Sequence, residues 1–131
     1  MYPVEIKLSN ISEVRMGSPY NMCDIEIISA ANFQLPKSGW QDKYAWSEDF
    51  KKLALIRWDF TNNEPGFRLY IVNFETNLFQ EFSRSLGLPK NVSFPNDDRV
   101  VINKFYFNKD ISESENYTDE YSFGTVMLDV R

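Results

Sequence analysis

Histidine is absent from all 131 residues. That removes Ser-His-Asp and Cys-His nucleophile arrangements, and with them the commonest metal ligand. Cysteine occurs once, as Cys23, so no internal disulfide can form. Cys23 lies in the strand-like run Met22-Cys23-Asp24-Ile25-Glu26-Ile27-Ile28, where a core thiol fits better than a nucleophile with no histidine to activate it. The five glycines are scattered and make no phosphate-cradling loop. No stretch approaches the ~20 apolar residues of a spanning helix, so no membrane association is expected. Met1-Tyr2-Pro3-Val4-Glu5-Ile6 lacks the basic start and apolar run of a secretory signal, and a cytoplasmic location is expected. Cations are the minority: 14 Lys and Arg stand against 19 Asp and Glu, for a net charge of -5. A nucleic-acid partner is not expected, because binding phosphates requires a basic face. Nor is a cofactor, a metal or an enzymatic activity. A carboxylate pair for glycoside chemistry can always be drawn among so many acids, and so points to no reaction.

Aromatic residues are what the chain has in quantity: 16%, with 11 Phe and 7 Tyr. Aromatic side chains favour strands, where they pack on a pleated surface. The length matches one domain, 1–131, able to bury a core without a disulfide or metal.

The clearest unit runs from Lys52 to Thr76. Ala54, Ile56, Trp58 and Phe60 alternate with Leu53, Leu55, Arg57 and Asp59. Arg68, Tyr70, Val72 and Phe74 alternate with Phe67, Leu69, Ile71 and Asn73. Strand side chains alternate between faces, so each arm has one apolar face and one that turns polar toward its end. Asn62-Asn63-Glu64-Pro65-Gly66 between them is a turn: Asn and Gly tolerate positive φ, and Pro cannot continue a central strand. Arg57, Asp59 and Arg68 are expected to lie close together across this hairpin, and Trp58 and Tyr70 in the core.

The rest of the chain reads as further short strands. Tyr2–Leu8 and Asn21–Ala30 alternate, and Ser9–Tyr20 between them is polar with a Gly17-Ser18-Pro19 turn. Ala31–Tyr44 is a first long connection, in which Trp40 is either a contact residue or a plug over the core. Tyr44-Ala45-Trp46 leads through a tight polar turn into the hairpin. Thr76-Asn77 is another turn, followed by Leu78–Phe82. Gln80–Leu86 admits a strand or a short helix ended by Gly87, and a strand is preferred. Ser83–Asp98 is a second long connection, with Asp97-Asp98 as turn residues. Arg99–Asn108 is a strong strand, Lys109–Tyr121 a polar loop, and Phe123–Val130 a last strand with Gly124 as a possible bulge. The expectation is a mainly β, single-domain antiparallel sandwich, bent sheet or small barrel of about seven or eight strands, with at most one short helix.

Charge is most uneven between Asp110 and Glu120. Asp110, Glu113, Glu115, Asp119 and Glu120 stand there without a Lys or Arg, interleaved with Tyr117 and Tyr121. Such a segment is either a solvated loop or a polyanionic contact surface with aromatic anchors, suited to a basic protein partner. These seven residues, with Trp40, are the candidate partner-binding set.

Two resemblances follow. Trp46-Ser47-Glu48-Asp49-Phe50-Lys51-Lys52-Leu53-Ala54 resembles the W-S-x-D-x-K-x-L-A turn of β-propeller blades, and Leu69–Thr76 the next blade strand. It occurs once, and one blade cannot bury its own faces, so it implies a blade-like meander within a small domain. In size, acidity and β-content the chain is also similar to bacterial immunity proteins of contact-dependent growth inhibition and related polymorphic toxin systems. That resemblance implies an antitoxin that binds and neutralises a cognate toxin domain, plausibly a nuclease, by blocking its active site. A small-molecule-binding β domain and a structural or assembly subunit are the alternatives.

Overall fold

A computed structural model describes residues 4–14, 20–29, 33–108 and 113–122, the last-named segment and 107–108 without the side chains of 107, 108 and 113–115. Ten strands form among them: β1 Glu5–Glu13, β2 Asn21–Ile28, β3 Trp40–Trp46, β4 Lys52–Trp58, β5 Gly66–Asn73, β6 Leu78–Glu81, β7 Ser85–Leu86, β8 Leu88–Asn96, β9 Arg99–Asn108 and β10 Glu113–Ser122. One sheet runs β1-β2-β3-β4-β5-β6, with β7 also on β5; the other runs β10-β9-β8. All the pairings are antiparallel, and the sheets do not close into a barrel. The protein is a mainly β sandwich.

The central hairpin forms as expected, and its register sets Ile56 opposite Leu69 and Ala54 opposite Ile71. Its turn takes up a 3-10 geometry at Thr61–Asn63, with Asn62 and Asn63 at φ 59° and 56°. Its burial differs from expectation, because both faces are covered. On one face Leu53, Leu55, Tyr70, Val72 and Phe74 pack with Trp40, Cys23 and Ile25, under side chains of β1 and the 33–39 segment. On the other, Ala54, Ile56, Phe67, Leu69 and Ile71 pack against Val100 and Ile102 of the second sheet. A strand covered on both sides reads as a near-continuous apolar run, as LALI and LYIV do here.

The second expected connection is largely strand, and the first only from Trp40 on. β3 begins at Trp40, inside the first; β8 occupies most of the second. Pro89 and Pro95 made 88–96 look like loop, but β8 is the edge of its sheet, where a missing N–H is tolerated. The polar 109–121 loop is likewise mostly β10, paired residue by residue with β9 from Glu113–Asn108 to Ser122–Arg99. The 80–86 stretch is strand, as preferred, broken only between β6 and β7. The expected 123–130 strand and the Gly17-Ser18-Pro19 turn lie outside the described residues.

Gly87 is where the chain leaves one sheet for the other. It has φ +116°, and a Cβ there would stand 3.0 Å from Phe105 O. Its N–H donates to Pro65 O at 3.0 Å. The sheets are further joined by Gln41 Nε2, buried, donating to Pro89 O at 2.6 Å.

Candidate functional site

Three turns meet at one end of the sandwich. The β3–β4 turn is organised by Ser47, which is buried. Its Oγ donates to Asp49 Oδ1 at 2.7 Å and accepts from the Lys52 N–H at 3.0 Å. The Lys51 N–H donates to the same Asp49 oxygen, and the Phe50 N–H to Ser47 O. Burial works to raise the Asp49 pKa, but the hydrogen bonds from Ser47 and the Lys51 amide, with the Lys52 and Lys51 charges, outweigh it and hold the carboxyl below its ordinary value. Phe50 between them has φ 59°, a left-handed conformation that costs a bulky residue about 1–2 kcal/mol, and its ring is 46% exposed. In the β5–β6 turn Asn73 Oδ1 accepts from the Glu75 and Thr76 amides, with Asn77 at φ 59°. In the β8–β9 turn it is Asn96 Oδ1 that accepts, from the Asp98 N–H at 3.2 Å; the turn chemistry assigned to the Asp97-Asp98 pair belongs to the residue before it.

Between these turns lies an open cleft of about 540 Å³, lined by Asp49, Lys51, Lys52, Glu75, Asn96, Asp97 and Asp98. Four carboxylates face two lysines there. Lys51 Nζ pairs with Glu75 Oε2 at 3.2 Å. Lys52 shares the parity of Ala54 and Ile56, so it extends the inter-sheet column of β4 to its last rung, opposite Asn73. The cleft is thus the polar mouth of the gap between the sheets. Leu78, 45% exposed, is the first residue of β6 beyond the second turn.

The residues singled out from the sequence are dispersed. Asp110 lies outside the described residues. Glu113 and Glu115 are placed by backbone pairing alone, opposite Asn108 and Tyr106. Tyr117 stands edge-on to Tyr106, with ring centroids 5.8 Å apart. Asp119 is engaged inside the protein: Lys104 Nζ lies 2.9 Å from its Oδ2, and Ser85 Oγ donates to the same oxygen. Glu120 pairs with Arg99. Tyr121 packs edge-on against Phe82 in the second core, and burial, then the Asp119 charge, push its hydroxyl up to about 12. Trp40 is fully buried, its Nε1 donating to Pro36 O at 2.8 Å and its ring 4.9 Å from that of Tyr70. It is a core plug, and its contact reading is corrected. The acidic segment is an edge strand with two of its carboxylates internally paired, not a free loop.

Sequence reasoning missed the cleft because its residues come from three separate turns. One signal was present: Lys52 and Lys104 sit at inward parity in otherwise apolar strands, a position that calls for a polar partner. Lys104 finds Asp119 and Ser85, with Phe67 and Tyr106 rings beside it.

No protein-family model, curated protein or solved structure matches the chain. Among the described residues, no helix is long and apolar enough to cross a membrane, and no group of three metal-ligating side chains comes together.

Proposed function

We propose that this chain is an immunity protein: a small acidic antitoxin that binds a cognate basic toxin domain, plausibly a nuclease, and blocks its active site from the cytoplasm. The observation that carries the reading is the turn end. Exposed Phe50 and Leu78 stand on the same turns that present Asp49 and Glu75, with Asp97 and Asp98 across the cleft. Apolar anchors beside a cleft where four carboxylates outnumber two lysines suit a partner with a basic cleft: the anchors slow dissociation, and the excess negative charge speeds encounter. The strained backbone at Phe50 adds to this, since such strain persists where the surroundings hold a side chain on display. Glu113 and Glu115 of β10, paired with Asn108 and Tyr106 at the far end of β9 from the Asp97-Asp98 turn, are the separate second contact of this reading.

The test begins with tagged protein in native lysate, washed at low and then high salt. A basic partner should be held at low salt and lost at high salt, should be toxic when expressed alone, and should become harmless when this chain is co-expressed. Phe50→Ala should raise the dissociation rate, and reversing Glu113 and Glu115 to Lys should slow association and flatten its salt dependence. A retained partner without toxicity, or rescue that ignores all these substitutions, would refute the assignment.

A further inference from the structure

Both sheets have free edges, and most of these are blunted. β6 and β7 are four and two residues long. β8 carries Pro89 and Pro95, and β10 carries Glu113, Glu115, Asp119 and Glu120, a row of one charge sign that repels a second copy. β1 is different. It pairs with β2 on one side, and among the described residues no strand lies on its other side. From Val4 to Leu8 it holds no proline, and apolar and charged residues alternate. Val4, Ile6 and Leu8 lie against the first core but are only half-buried, whereas Glu5 and Lys7 on the opposite face are exposed. Neither charge enters an ion pair among the described residues. The ladder to β2 is regular from Glu5 to Ser9 and shifts register before Ser12, where Asn10 has φ 53°. Such a bulge twists the strand away, so the usable edge ends at Ser9.

We infer that β1 is a docking edge for β1 of a second copy of this chain, antiparallel across a two-fold axis at Ile6. The segment Val4-Glu5-Ile6-Lys7-Leu8 is its own complement in that register. Ile6 meets Ile6, Val4 meets Leu8, and Glu5 meets Lys7 on both sides of the axis. Centring the axis on Glu5 or on Lys7 sets like charges opposite each other, and centring it between residues sets Ile6 against a charge. The Ile6 register alone joins opposite charges on one face and apolar side chains on the other, where they extend the first core across the edge. Lys7 guards the edge against a neutral strand, which leaves its charge unanswered, and admits a strand that brings Glu5. The contact is isologous, so each favourable pair counts twice. It is also short, and the dimer belongs to the weak, exchanging class. The inference does not rest on the immunity reading and survives its failure.

The experiment is sedimentation of the full chain over a concentration series. The native chain should pass from monomer to dimer below about 1 mM. Glu5→Lys and Lys7→Glu should each weaken the dimer about tenfold, since either change places two like-charged pairs across the axis. The two single variants mixed together should form a heterodimer, because each then carries the charges that the other lacks. Both substitutions in one chain should restore the homodimer. A role of either residue within its own chain cannot produce the heterodimer. Lys7 also faces Glu26 across the ladder to β2. Should Lys7→Glu fail to fold, Ile6→Cys in a Cys23→Ala background serves instead. It should cross-link to its own copy on mild oxidation, while Ser9→Cys, far from the axis, should not. A chain still monomeric at about 1 mM would overturn the proposal. So would a dimer indifferent to the single substitutions, a mixture without heterodimer, or an Ile6→Cys chain that does not cross-link. A monomer in which every amide of residues 5–9 resists exchange would overturn it too, by giving the edge to another segment of the same chain.

Discussion

At the scale of single residues, the other end of the central hairpin shows how much one side chain can organise. Asp59 accepts from Thr61 Oγ1 and from the Thr61 amide. Arg68 Nε lies 2.9 Å from its Oδ2 and Arg84 Nε 3.3 Å from its Oδ1. Arg84 also donates to Thr61 O and Glu64 O, fastening the 61–64 turn. The Thr61 hydroxyl first, and then Arg68, hold the Asp59 carboxyl down to about 2, against an ordinary 3.8. The unfolded chain therefore binds more protons than the folded one between those values, and stability rises with pH through that window. The contribution is complete above about pH 4 and is lost as pH falls toward 2. Asp59→Asn should flatten this part of the pH dependence in thermal melts and leave its shape above pH 5 unchanged. The pairing of Asp59 with Arg68 was legible from alternation and a short turn, whereas Arg57, opposite Arg68 in the ladder, donates instead to Ser38 O. The part played by Arg84 was not legible, because it arrives from a strand break further along the chain.

At the scale of elements, local chemistry was readable and tertiary chemistry was not. The Asn62-Asn63 turn announces itself, since those residues accept positive φ. β8 and β10 do not: one carries two prolines and the other reads as a run of acids and amides. Both become strands because β9 between them is strongly apolar and offers two edges. β10 tolerates its acids because Lys104 and Arg99 of β9 answer Asp119 and Glu120 across the strand pair. Acidic side chains along a sheet edge also discourage pairing with other chains. Trp40 was ambiguous for the same reason, as only the packed structure decides between a loop aromatic and a plug. Gly87 governs the crossing between the sheets. Gly87→Ala should destabilise by about 1–3 kcal/mol in urea unfolding, because it combines positive φ with a close approach to Phe105 O. A wild-type midpoint in that variant would show that the corner can relax.

At the scale of the whole molecule, the fold is a three-layer arrangement in which β4 and β5 are the shared middle. The layers are joined unequally. The first sheet continues from β3 to β2 through a single bridge, Cys23 to Trp40, helped by Ile25 N–H to Lys37 O and Trp58 Nε1 to Asn21 O. Hydrogen exchange should be slowest in β4 and β5, whose amides open only with the whole protein. It should be faster in β1 and β2, which can separate as a ribbon with little loss of backbone pairing elsewhere. Equal protection across all of them would mean that the weak junction is held by side chains as firmly as the hairpin is by its ladder.

The lone cysteine turns that junction into a built-in clock. Cys23 is 2% exposed beneath the ribbon, and burial, then the charges of Asp42 and Asp24, push its thiol up to about 11. While the ribbon is seated the sulfur is both covered and protonated, and so inert to alkylating reagents. Once it lifts, the thiol returns toward ordinary acidity and reacts. The rate of modification therefore counts opening events in the native chain without any engineered label. At high reagent it should level off at the opening rate of the ribbon, and at low reagent it should report the same opening free energy as the β2 amides rather than that of β5; a bound partner that clasps the ribbon would slow it in proportion to occupancy.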